Sequence, residues 1–181
     1  MTMKYLDSVA TIRANLTNFS TESVIYRWWF KDGSTIVTEL KNNSDIDCSK
    51  LITAIIDGTT YYALYVGIGV NCQQRFKWHI QQKHTPSSVK SGFLSTLRQT
   101  LSALLNTDMT LSEHVVNTFI DQNCILEWDL YGHTSKQQLE IIENGIINGK
   151  SGYYPLNIQK NKNVSAGFIK YLQKMRKHYK K

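Results

Sequence analysis

The run YYALYVGIG (61–69) constrains this chain most, because it is a nine-residue stretch of aromatic and β-branched residues that ends on the glycine pair Gly67 and Gly69. Such a run reads as a strand. Asn71 follows as an N-cap, and CQQRFKWHIQQKH then carries helical composition with no breaker before Pro86. A strand turning directly into a helix fixes local geometry. Arg75 and His79 stand four apart and so share one helix face, while Tyr65 lies at the end of the strand that feeds it. Three polar groups able to do chemistry can therefore converge without help from distant sequence.

The remaining elements follow by the same rules. SVIYRWWF (23–30), closed by Lys31-Asp32-Gly33, reads as a buried strand and turn, and CILEWDL (124–130) as a third strand. The segment SGFLSTLRQTLSALL places Phe93, Leu94, Leu97, Leu101, Leu104 and Leu105 at helical intervals, which makes a core-facing stripe. Shorter helices are expected at 8–18 and in SEHVVNTFID. Another opens at Thr134 or Ser135 and runs through QQLEIIENGII, and a last one spans roughly 165–179 with Phe168, Leu172 and Met175 beneath a lysine-rich face. Three strands among helices give an α/β or α+β fold: a small mixed three-stranded central sheet flanked by helices, with extra N-terminal and C-terminal helices, as one domain over 1–181. Residues 31–60 read as an insertion.

Charge narrows the partner. The chain carries +7 at neutral pH with pI near 9.3, and Lys170, Lys174, Arg176, Lys177, Lys180 and Lys181 crowd its end. That balance suits a polyanion, or else a solvated basic helix. The three cysteines, Cys48, Cys72 and Cys124, form no C-x-x-C pair, so neither a disulfide framework nor a zinc module is indicated and a reducing cytoplasm fits best. Neither a signal peptide nor a membrane span is legible. Gly67-x-Gly69 lacks the third glycine and acidic partner of a dinucleotide fold, and no G-K-[ST] follows to make a phosphate loop.

Taken in order, the residues resemble the GIY-YIG nuclease superfamily. Tyr65-Val66-Gly67 matches its second half-motif, Arg75 stands ten positions after that tyrosine, and His79 stands one turn later. Ile25-Tyr26 matches the first half-motif, with Val24 in place of glycine; Glu143-Asn144-Gly145-Ile146-Ile147 resembles the metal-binding segment, and Pro155-Leu156-Asn157 the closing element. The likeness spans roughly 23 to 160. It departs from the family in the long separation of Tyr26 from Tyr65, which leaves open whether the first half-motif sits at Tyr26 or in the LITAI segment before Asp57-Gly58. Tyr26 is preferred, because Y-R-W-W-F supplies a tyrosine on a strand.

The resemblance implies a phosphodiester hydrolase with Tyr26, Tyr65, Arg75, His79, Glu143 and Asn157 around one Mg²⁺ or Mn²⁺. Glu143 would hold the metal, with Glu140 as the alternative ligand, and Arg75 would stabilise the phosphate. Tyr26 or His79 would be the base; a free tyrosine titrates near 10, so a phenolate at neutral pH costs about 4 kcal/mol unless cations lower it. Asn157 would position the substrate or its neighbours. Lys77, Lys83, Lys90 and Arg98, with Trp78 and His84, are the candidate phosphate contacts. One of Trp28 and Trp29 could stack on a base, although two packing residues is the plainer reading. The expected partner is DNA, cut in a restriction-type role, with a homodimer as the route to cutting both strands. Repair and mobile-element nucleases, a catalytically silent nucleic-acid-binding domain and a protein-interaction domain are the rival readings. Joint presence of Tyr65, Arg75 and Glu143 favours the enzyme.

Overall fold

The computed structural model describes residues 4–181. Strand β1 (Tyr5–Ser8) passes straight into helix α1 (Val9–Ala14), whose first turn is capped by the Ser8 hydroxyl accepting from Thr11 N at 3.1 Å. Strand β2 (Val24–Lys31) leads to helix α2 (Thr35–Asn42). Then β3 (Ile52–Ile56) and β4 (Thr59–Gly69) form a hairpin. Asp57 and Gly58 are its two-residue loop, with φ of 47° and 74°, the left-handed pair that matches strand twist in a type I′ turn.

Helices α3 (Cys72–Gln81), α4 (Pro86–Lys90), α5 (Thr96–Leu104) and α6 (Glu113–Asn123) precede the last strand, β5 (Cys124–Leu130). Helices α7 (Lys136–Asn148) and α8 (Ala166–His178) close the chain. The described residues thus form a mixed helix-and-strand fold around one sheet.

The sheet holds five strands in the order β1-β5-β2-β4-β3, and every neighbouring pair is antiparallel. The expected three-stranded mixed sheet is corrected on both counts. β1 is four residues with no apolar alternation, and it becomes a strand only by pairing with β5, Tyr5 opposite Trp128. β3 arises within the expected insertion, where α2 also tucks Ile36, Val37 and Leu40 into the core. Each of these elements is stabilised by what it lies against rather than by its own pattern.

Central β2 is covered on both faces, which accounts for its nearly continuous apolar run, interrupted only by the buried Arg27. Val24, Tyr26, Trp28 and Phe30 join the larger core with residues of α1, α3, α5, α6 and α8, while Ile25 and Trp29 pack with Val66, Leu139, Ile147 and Tyr154 beneath α7. Trp28 and Trp29 are 0% and 5% exposed, so both are packing residues and neither is free to meet a base. The helix expected over 91–105 begins only at Thr96, and the helix after Asn71 stops at Gln81, before the expected His84. Phe93 consequently stands outside the core stripe at 62% exposed.

Candidate active site

In the β2–β4 register Tyr26 lies opposite Gly67 and Trp28 opposite Tyr65, so the two tyrosines sit on adjacent central strands, whereas LITAI forms the sheet edge. The glycines of YVGIG are steric requirements. A Cβ on Gly67 would stand 2.6 Å from Cζ of Tyr26, so the phenol ring crosses the strand where no side chain intervenes. A Cβ on Gly69 would stand 2.7 Å from Cβ of Arg75, so Gly69 admits the first turn of α3 against the strand.

Helix α3 is started by Asn71, whose Oδ1 accepts from Gln74 N at 2.8 Å, and from that fixed start it presents both expected residues. Arg75 donates Nε to Ile68 O at 2.6 Å and lies over the Trp78 ring at 5.7 Å; its terminal nitrogens bond to no described residue. His79 is 3% exposed, with Nε2 2.5 Å from the Tyr26 hydroxyl and Nδ1 2.8 Å from Ser95 Oγ.

Burial decides the protonation of this pair. It pushes the Tyr26 phenol well above its ordinary 10, with Arg75 pulling only partly back, and it holds His79 well below 6.5, with Arg75 and Arg98 adding to the effect. At neutral pH Tyr26 is therefore a phenol donating to a neutral imidazole. The hydrogen-bond network then assigns the tautomer: Nε2 accepts, and Nδ1 carries the proton donated to Ser95.

Across the cleft, α7 opens with a capping box between Ser135 and Gln138 and packs on β4. It presents Glu143, half-buried, with no hydrogen bond or ion pair to any described residue. Burial raises its carboxyl pKa, opposed by Arg75 and reinforced by neighbouring Glu140. Glu140 is exposed and lies 3.7 Å from Lys136. A cleft of about 450 Å³ brings Tyr65, Glu143 and Asn157 together, and an adjoining one of about 400 Å³ is lined by Tyr65, Arg75, His79 and Glu143. Tyr26, 1% exposed, stands behind this wall.

Asn157 lines the first cleft, and both polar atoms of its side chain are engaged by the backbone of β4. Its Oδ1 accepts from Val66 N at 2.9 Å and its Nδ2 donates to Val66 O at 2.8 Å, while Leu156 N donates to Leu64 O at 2.9 Å. β3 pairs with β4 only as far as Ala63, so this segment completes the strand edge next to Tyr65.

The family model described as GIY-YIG catalytic domain matches residues 24–178. This chain belongs to that family. No curated protein and no solved structure matches it. Membership makes this GIY-YIG chain a nuclease-family domain whose substrate is nucleic acid, and such nucleases generally use a divalent metal. No group of three or more metal-ligating residues exists among the described residues. Glu143 nonetheless fits a hard cation held by one protein carboxylate, waters and substrate phosphate, because its oxygens are uncommitted.

Two expected phosphate contacts of this GIY-YIG domain are corrected. Arg98 is 0% exposed and gives Nε to His84 Nε2 at 2.6 Å, Nη1 to His79 O at 2.9 Å and Nη2 to Asn117 Oδ1 at 2.8 Å. It braces α3 from inside, and His84, 4% exposed, is part of the same network. Lys77, Lys83 and Lys90 are exposed, Lys83 being paired with Glu113 at 2.8 Å.

Conversely, Arg176 points inward from the basic C-terminal helix. Its Nη2 donates to Gln99 Oε1 at 2.5 Å, its Nε is buried without a hydrogen-bond partner, and its charge opposes the burial that pushes Tyr65 up to about 12. Ser95 and Gln99 were not expected near the site, and Arg176 was expected only as part of the basic C-terminal face. Ser95 alone left a signal, as a serine just before a helical stripe. No described helix is long and apolar enough to cross a membrane.

Proposed function

We propose that this GIY-YIG domain is a DNA endonuclease that hydrolyses phosphodiester bonds with one Mg²⁺ or Mn²⁺, in a restriction-type role. The observation that carries this reading is the 2.5 Å contact between the buried Tyr26 phenol and neutral His79, set behind Tyr65 and facing the uncommitted carboxylate of Glu143. Tyr65, Arg75 and Glu143 lining the cleft beside His79 support a catalytic rather than a purely structural reading of this buried pair.

Hydrolysis forms a bond from water oxygen to phosphorus and breaks the bond to the leaving oxygen, so the water must lose a proton. Tyr65 at the cleft wall orients that water. The proton passes inward through the hydroxyls: Tyr65 takes it as it releases its own to Tyr26 behind it, and Tyr26 releases its phenolic proton to Nε2 of His79. No resting phenolate is then needed, and the cost of about 4 kcal/mol for forming one is avoided.

Arg75, anchored through Nε, offers its terminal nitrogens to the phosphate oxygens, where a planar fork matches their geometry. Glu143 holds the divalent cation, which when bound neutralises phosphate charge. Asn157 acts as a positioning residue by fixing the backbone beside Tyr65.

Cleavage of supercoiled plasmid and genomic DNA with Mg²⁺, with Mn²⁺ and with EDTA, beside Glu143→Ala, tests the reading. Metal-dependent cutting lost in the variant supports it, and discrete fragments support sequence selectivity. Tight, salt-sensitive binding without cutting would assign the chain instead to catalytically silent nucleic-acid-binding members of the fold.

A further inference from the structure

The cleft that holds Tyr65, Arg75, His79 and Glu143 is polar, yet Phe93 is built into its mouth at 62% exposed. An aromatic ring left mostly in water at such a place is not held there by burial in the core. It is also not loose. Its ring lies 4.9 Å from that of Trp78 at an interplanar angle of 30°. Gln82 clamps the segment, donating Nε2 to Phe93 O at 2.9 Å while its Oε1 accepts from Ser95 N at 2.7 Å. Gly92, at φ 75°, supplies the reversal that lifts Phe93 off the helical path. With one side of the ring against Trp78, the exposed remainder is presented to whatever enters the cleft.

The order of groups is informative. Arg75 lies over Trp78, and Trp78 lies against Phe93, so a phosphate-binding cation and an aromatic platform are joined through one indole. Exposed Lys77 precedes Trp78 in α3, and Lys136 lines the same cleft as Phe93 and Arg75. A cationic track beside an aromatic face is the chemistry that recognises unpaired nucleotides, since every base has a face to stack and a stacked duplex hides it.

We propose that Phe93 stacks on a base unstacked next to the phosphate held at the site, so that paired DNA is cut only where one base leaves the stack and DNA already unpaired there binds more readily. This rests on the nuclease reading for the identity of the phosphate site. Fully paired duplex must first unstack a base, at a cost that unpaired DNA does not meet.

The test uses the full chain in EDTA and oligonucleotides bearing 2-aminopurine, either unpaired or within duplex. Wild type and Phe93→Trp should quench the unpaired probe, whereas Phe93→Ala should lose the quenching and bind unpaired DNA about tenfold more weakly, the equivalent of about 1.4 kcal/mol. Binding of paired duplex should be unchanged. Equal affinity of Phe93→Ala and wild type for unpaired DNA overturns the proposal, as does an equal loss on both substrates. Because Phe93 is mostly exposed, Phe93→Ala is expected to keep the fold, and Phe93→Trp separates loss of the aromatic face from general damage. Metal-dependent cleavage is scored separately. Cutting without any Phe93 effect removes this inference alone, and stacking without cutting supports it while removing the nuclease reading.

Discussion

Proton transfer in this site depends on single groups held away from their ordinary protonation. His79 accepts only while neutral, and burial keeps its folded pKa well below 6.5. Activity should accordingly hold as pH falls through 6.5, with the acid limb displaced to lower pH; a kcat profile already half-lost at pH 6.5 would remove His79 as acceptor. Gly67→Ala sets a methyl against the Tyr26 ring and should lower kcat at least tenfold by shifting the phenol away from His79, read by single-turnover kinetics. Arg75→Lys keeps the charge but loses both the Nε bond to Ile68 O and the planar fork, and about 100-fold in kcat is the expected loss. Retained activity in Arg75→Lys would mean that charge alone suffices.

At the scale of elements, strand β4 matters more than its length suggests, because it carries Tyr65 and is held on one side by a side chain acting as a strand. Asn157→Ala leaves Val66 N and O unpaired in a buried place, at an expected cost of about 1–3 kcal/mol in urea unfolding. Activity should drop with it, since the backbone beside Tyr65 loses its clamp; a variant of unchanged stability would show that water replaces the amide. On the opposite face of the sheet, Glu127 accepts from Arg27 Nη1 at 2.9 Å and from Trp29 Nε1 at 2.8 Å. Removing one partner of a buried pair strands the other, so Glu127→Ala should cost about 3–5 kcal/mol, measured in the same way.

The molecule as a whole should be acid-labile. His84 Nδ1 lies 2.9 Å from Met109 O, and its Nε2 accepts from Arg98 Nε, so protonation would place two cations together. Its folded pKa is pushed down to about 4, below the unfolded 6.5. Between those values the unfolded state binds more protons, so stability is complete above 6.5 and is lost as pH falls towards 4; His79 acts in the same direction. Thermal denaturation from pH 8 to 4 should show Tm falling through that window, with a shallower fall in His84→Gln. A flat Tm would contradict the buried neutral imidazoles.

Sequence alone determined the part of the site that is local. Tyr65, Arg75 and His79 are related by a strand, two glycines and one helix turn, and the resemblance added Tyr26, Glu143 and Asn157; the structure brings Tyr65, Arg75, His79, Glu143 and Asn157 to adjoining clefts, with Tyr26 behind. The central strands β2, β4 and β5 were legible because burial makes each rich in aromatic and β-branched residues despite an occasional charge such as Arg27 or Glu127. Edge strand β1 was not, and β3 was read only as an alternative strand at LITAI, because short strands acquire their hydrogen bonds only from a neighbour. Only the tertiary structure decided which charges turn inward. Arg98 and Arg176 are indistinguishable by type from the arginines and lysines of any basic surface, and it is the packing of α5 against α6 and α8 that buries Arg98 and turns Arg176 inward. The same packing left Asn157 to hold a strand and Phe93 in the open, outcomes fixed by contacts between residues far apart in the chain.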